Sequence, residues 1–139
     1  MSIFSALFGQ NKEKLTSIRK DIDITEAINA HMKWKARLQS CLDGTSEEVL
    51  DPKVIGRDDM CTLGKWIHGP ALNHFHDDES LEILRADHAQ FHNIAGNVIT
   101  KIQQNDISGA MTLFQGDYVK ASRKVIHTLT ELNKHLCEA

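Results

Sequence analysis

The chain has 139 residues, of which 41% are hydrophobic and 25% charged, so it is long enough for one globular domain with one core. Its net charge of −3 gives no basic excess, which argues against a nucleic-acid partner. No run of about 18 apolar residues is present, so we expect no membrane span. Eight histidines are a surplus for a domain of this size, and they suggest metal binding.

Residues 1–20 are predicted to be a lead segment, either helical or flexible, ahead of a single helical domain over residues 21–139. The segment begins with the apolar run 1–8, which has no basic residues before it and is short for an export signal. We therefore expect a cytoplasmic protein. A short peptide that docks on a partner or a membrane surface is an alternative interpretation of this run.

The first regular helix is predicted to begin after Asp23, because Glu26 stands three residues on, as in a capping box. Its apolar positions recur at steps of three and four, and Gly44 is expected to end it. Residues 44–60 are rich in glycine, proline and aspartate, and they predict a loop of unusual length.

Three further segments complete the predicted fold. Residues 61–67 form a short helical turn, and residues 81–102 form the most regular helix. Residues 107–136 repeat the same apolar pattern and are predicted to be one last helix. Sustained apolar seams on three long helices predict an all-α fold, an antiparallel four-helix bundle in which a short extra turn carries a cysteine. The fourth helix would come from residues 11–22 or 61–67.

The histidines on these seams are the candidates for chemistry. His88 and His92 lie four apart and therefore share one helix face, and His31 falls on the seam of the first helix. A buried imidazole without a partner costs free energy, which a shared cation would offset. Cys61 is a fourth candidate, because closed zinc sites take four cysteine and histidine ligands. From spacing alone, ordinary core roles for all four residues remain an equal alternative.

Three motifs taken together resemble the chemoreceptor zinc-binding domain family. His31 is followed by Trp34, residues 61–66 read C-T-L-G-K-W, and residues 88–92 read H-A-Q-F-H. The resemblance covers about residues 24 to 136. It implies a four-helix bundle that binds Zn²⁺ through one cysteine and three histidines, namely His31, Cys61, His88 and His92.

The resemblance also implies a regulatory domain of bacterial signalling, of the chemotaxis or cyclic-di-GMP type, and not an enzyme. Such a domain would sense zinc, or oxidants that act on Cys61. Its output would pass to a chemoreceptor, a diguanylate cyclase or a similar protein in trans, or to a parent chain. We also expect a homodimer, because long apolar seams on a small bundle often pair.

Two other functions are kept as alternatives, and Asp58 is a further candidate residue. A hemerythrin-like di-iron bundle that binds oxygen is one alternative, and a structural-zinc dimerisation module is the other. Asp58 lies three residues before Cys61 and is predicted to act on the thiolate as a regulatory neighbour of the metal ligands. A plain helix-capping role for Asp58 is an equal alternative.

Overall fold

The computed structural model describes residues 12–75 and 79–138, and these residues form eight helices and no strand. In chain order the helices are α1 (Lys12–Asp21), α2 (Ile24–Asp43), α3 (Pro52–Ile55), α4 (Thr62–Ile67), α5 (Pro70–Phe75), α6 (Glu79–Gln103), α7 (Ile107–Gln115) and α8 (Asp117–Glu138). The apolar run 1–8 lies outside the described residues. None of these eight helices has the length and apolar character that crossing a bilayer requires.

Both predicted ends of α2 are confirmed. The side chain of Asp23 accepts a hydrogen bond from the backbone N–H of Glu26 at 3.1 Å, which satisfies one of the unpaired donors of the first turn. At the other end Gly44 adopts a left-handed conformation with φ of 74°, which glycine reaches without a steric penalty. The two caps therefore define where α2 begins and ends, and His31 lies on this helix.

The predicted all-helical bundle is confirmed. The three long helices α2, α6 and α8 pack against one another, and α7 packs on all three. Their inward side chains form one core, with Leu38 of α2, Phe91 of α6 and Leu129 of α8 fully buried. Burial of each such side chain stabilises the fold by about 1.5–3 kcal/mol. Helix α1 contacts α5 and α8 and adds the fully buried Ile18 to the same core.

Two of the predicted elements differ from the structure. The long loop over residues 44–60 contains α3, which begins after the N-cap Asp51 with a proline in its first turn. The predicted single last helix is instead two helices, because the backbone at Gly116 leaves the helical region with φ of −106° and ψ of −95°. Phe114 and Tyr118 still stack across this break with ring centroids 5.2 Å apart, so the apolar pattern continues through it.

The structure also contains a helix that was not predicted from the sequence. Residues 70–75 form α5, which follows α4 after a turn at residues 68 and 69. Pro70 begins α5, a position where the missing N–H of proline costs nothing.

Candidate metal centre

The four predicted ligand residues lie together in the structure. His31 comes from α2, Cys61 is the N-cap of α4, and His88 and His92 come from successive turns of α6. One donor atom from each of these residues lies within 4.8 Å of all the others. Three elements that are distant in sequence thus converge on one point.

The spacing of the donor atoms fits a tetrahedral zinc site. The Nε2 atom of His88 lies 3.1 Å from Nε2 of both His31 and His92, and the Sγ atom of Cys61 lies 3.3 and 3.6 Å from Nε2 of His88 and His92. For Zn–N bonds of about 2.0–2.1 Å and a Zn–S bond of about 2.3 Å, a tetrahedron has N–N edges of roughly 3.3 Å and N–S edges of roughly 3.6 Å. Four of the six donor–donor distances are therefore close to the edges of a closed four-coordinate site, and the other two are at most 4.8 Å.

Backbone carbonyls orient two of the three imidazoles. Nδ1 of His31 donates to the carbonyl of Ala27 at 2.7 Å, and Nδ1 of His92 donates to the carbonyl of Ile55 at 2.9 Å. These bonds place the ring proton on Nδ1, so the lone pair on Nε2 points into the cluster. Nδ1 of His88 has no hydrogen-bond partner among the described residues.

Burial keeps the three imidazoles neutral. His31, His88 and His92 are 2%, 0% and 3% exposed. Desolvation lowers the pKa of all three, and with the neighbouring histidines it lowers the pKa of His88 to about 2. Without a cation, the Nε2 lone pairs of His31 and His92 both point into the cluster, where the only protons that can pair with them are the ring proton of His88 and the thiol proton of Cys61. The donor set is therefore suited to a metal ion.

Cys61 differs from the histidines in being only half-buried. Burial raises the pKa of its thiol, the N–H of Gly64 that donates to Sγ at 3.3 Å lowers it, and the charge of Asp58 raises it further. A Cβ atom on Gly64 would overlap the carbonyl group of Asp58, so the glycine lets the preceding loop close tightly over α4. The tight turn holds the sulfur at the start of α4.

Asp58 lies beside the cluster but bonds to another residue. Its Oδ2 atom lies 3.0 Å from Nε2 of His68, the C-cap of α4. The pair joins the loop before Cys61 to the end of the helix after it. Burial lowers the pKa of His92, and the charge of Asp58 offsets a small part of this lowering. A regulatory role for Asp58 stays a prediction.

Two open clefts border Cys61. One, of 580 Å³, lies between the start of α2 and residues 60–63, and its wall includes His31. The other, of 420 Å³, is lined mainly by residues of α2 and of the loop 49–60, and its wall includes His92. Met60 and Cys61 border both clefts. Of the four cluster residues, Cys61 is therefore the most accessible from solvent.

Two residues beside the cluster were not predicted from the sequence, and both contribute a backbone carbonyl group. The carbonyls of Ala27 and Ile55 hold two imidazoles, yet a carbonyl group is present in every residue and leaves no compositional signal. The only available hint for Ile55 was the Asp51-Pro52 pair, which is typical of a helix start.

Comparison with known families agrees with this geometry. The model of the chemoreceptor zinc-binding domain matches residues 31–99, about half of the chain. The chain belongs to the chemoreceptor zinc-binding family. The matched range begins at His31 and contains Cys61, His88 and His92, so the predicted resemblance is confirmed over residues 31–99. No curated protein and no solved structure matches the chain.

Proposed function

We propose that this chemoreceptor zinc-binding domain holds one Zn²⁺ ion through His31, Cys61, His88 and His92. The observation that carries the proposal is the convergence of their four donor atoms within 4.8 Å, at separations that suit tetrahedral coordination. Four strong ligands fill the coordination sphere and leave no open position of the kind that a zinc hydrolase needs. A sensory or structural role therefore suits the site better than catalysis.

We further propose that the domain is a cytoplasmic regulatory module of bacterial signalling that responds to zinc, or to oxidation of Cys61. Cys61 is the only half-buried residue of the four, so an oxidant reaches it before the histidines. Oxidation of a thiolate to the sulfenic acid takes away its ligand character. The same change would weaken the N-cap of α4, which Sγ supplies.

The output proposed for the domain is a change in the bundle surface around α4. Loss of the metal would leave the buried Nε2 atoms of the three histidines held together only by the ring proton of His88 and the thiol proton of Cys61, and we expect the bundle to repack or admit water around them. A chemoreceptor or a diguanylate cyclase, in trans or as part of a parent chain, would read this change. A homodimer remains part of the proposal.

The two alternatives make different demands on the site. A di-iron bundle of the hemerythrin type needs bridging carboxylates, and the four-residue cluster contains none. Asp58, the carboxylate predicted to neighbour the ligands, lies 3.0 Å from His68 and pairs with it instead. A structural zinc in a dimerisation module would use the same four ligands and would differ in how slowly the metal exchanges.

Metal analysis of the untagged protein tests the proposal. We expect about one zinc per chain, measured by elemental mass spectrometry, in the wild type and in the control Cys41→Ser, whose half-buried cysteine lies outside the cluster. Cys61→Ser should weaken binding by more than the roughly 10–100-fold that loss of an outer hydrogen-bond partner costs. Two irons per chain, no metal, or zinc that is indifferent to Cys61 would refute the proposal. Zinc release to a competing chelator within minutes favours a sensor, and release over days favours a structural ion.

A further inference from the structure

Helix α3 lies unusually close to α6 at a pair of glycines. A Cβ atom on Gly96 of α6 would stand 2.9 Å from the carbonyl oxygen of Pro52 and 3.0 Å from Cα of Gly56. Both atoms belong to the backbone of the α3 segment, so no side chain can rotate away to make room. A residue with a side chain at position 96 must therefore displace α3.

The segment held against Gly96 is the one that orients His92. The carbonyl of Ile55, within α3, accepts the Nδ1 proton of His92 at 2.9 Å. Gly96 lies one turn after His92 on α6, so both residues face α3. The side chain of Ile55 is 6% exposed and packs in the main core, which fixes this part of the segment from the other side.

His31 and His92 reach their acceptors in different ways. The acceptor for His31 is Ala27, one turn earlier on its own helix, and it is in place whenever α2 is formed. The acceptor for His92 belongs to another element and is in place only when α3 lies on α6. The orientation of His92 thus depends on a tertiary contact, whereas the orientation of His31 does not.

We propose that Gly96 is a positioning residue of the metal centre. By admitting the backbone of α3, it places the Ile55 carbonyl so that His92 keeps its proton on Nδ1 and presents Nε2 to the metal. The inference rests on the proposed zinc binding through His92. In this proposal, part of the zinc affinity depends on the contact between α3 and α6, in addition to the four ligands themselves.

The test compares Gly96→Ala with Asn97→Ala, a change at the next, exposed position of α6. Helix propensity favours alanine at both positions, so propensity alone cannot weaken binding in one variant only. We expect the zinc Kd, measured by chelator competition, to rise about 10–100-fold in Gly96→Ala and to stay unchanged in Asn97→Ala.

A spectroscopic readout separates positioning from general destabilisation. In the zinc-bound wild type, long-range ¹H–¹⁵N spectra should show protonated Nδ1 atoms on both His31 and His92. In Gly96→Ala, we expect the His92 Nδ1 proton to exchange rapidly or disappear, while the His31 signal persists as an internal control. A variant that keeps the wild-type Kd and the His92 signal would overturn the positioning role and leave the zinc site intact. A wild type that binds no zinc would instead refute the proposed function.

A second pair of variants covers the case in which Gly96→Ala does not fold. Asp51→Ala removes the exposed side chain that caps α3 by accepting from the N–H of Lys53 at 2.9 Å. The matched control is Asp106→Ala. It removes the side chain that caps α7 by accepting a hydrogen bond from the N–H of Gly109 at 2.9 Å. We expect weaker zinc binding and loss of the His92 signal only in Asp51→Ala. Equal zinc affinity in the two variants, with the His92 signal intact in both, would overturn the inference.

Discussion

Acidification should destabilise the zinc-free protein through its buried histidines. Burial lowers the folded-state pKa of His31, His88 and His92, whereas in the unfolded chain an imidazole titrates near its ordinary pKa of about 6.5. Below that pH the unfolded state binds more protons than the native state. The free energy of unfolding is therefore unaffected by these groups above about pH 6.5 and falls as the pH drops below it.

His88 alone sets a lower limit for this effect. Its folded-state pKa is about 2, so it stays neutral in the native state over the whole mildly acidic range. Integration of the linkage relation gives a loss of about 1 kcal/mol between about pH 6.5 and 5.5, and about 1.4 kcal/mol for each further unit. His31 and His92 add to this loss with the same sign.

Urea unfolding, followed by far-ultraviolet circular dichroism in the presence of a chelator, measures this dependence directly. We expect His88→Leu, which keeps a buried side chain, to show a shallower decrease between pH 6.5 and 5.5 than the wild type. His127→Gln, at an exposed position of α8, is the control and should keep the full dependence. A wild-type free energy of unfolding that stays flat over this pH range would refute the claim that the imidazoles are buried and neutral.

Two further predictions concern the turn that carries Cys61. Gly64→Ala introduces a Cβ that overlaps the carbonyl of Asp58, and it should destabilise the protein by about 1–3 kcal/mol in urea unfolding. Lys65→Ala, at the exposed neighbouring position, should change stability by less than about 0.5 kcal/mol, and equal effects would exclude the close contact as the cause. Asp58→Asn removes a charge that raises the pKa of Cys61, so alkylation of this thiol by iodoacetamide should become faster in the zinc-free protein at constant pH. Asp59→Asn, whose carboxylate is paired with an arginine on the surface, is the control, and equal alkylation rates in both variants would contradict an influence of Asp58 on the thiol.

The sequence was most informative where one residue type performs one local task. Asp23, Glu26 and Gly44 predict both ends of α2, since capping and left-handed turns have strong residue preferences. The step of four between His88 and His92 predicts that their rings share a face, because helix geometry alone decides it. That the four donor residues meet at one point was predicted from the family resemblance. The spacing of residues within single helices could not predict it, because such spacing does not show how one helix packs on another.

Features that depend on backbone contacts between elements could not be predicted. Helix α3 has only four residues, too few for an apolar period to appear in the sequence. The break at Gly116 was missed because Phe114 and Tyr118 keep their place on the apolar seam across it. The close approach at Gly96 involves the backbone of a segment some forty residues earlier, and a single glycine in a helix does not reveal its neighbour.

The sulfur of Cys61 takes part in two equilibria at once, since the atom that completes the donor cluster also caps the first turn of α4. Under the proposed zinc binding, metal occupancy and the helical state of residues 62–67 are therefore thermodynamically coupled. Coupling of this kind is reciprocal. If zinc stabilises the helical form of residues 62–67, then a protein that binds these residues in an unwound form lowers the affinity for zinc by the same factor by which zinc lowers the affinity for that protein. Such a protein would compete with the metal without occupying its site, and zinc in turn would displace that protein from α4.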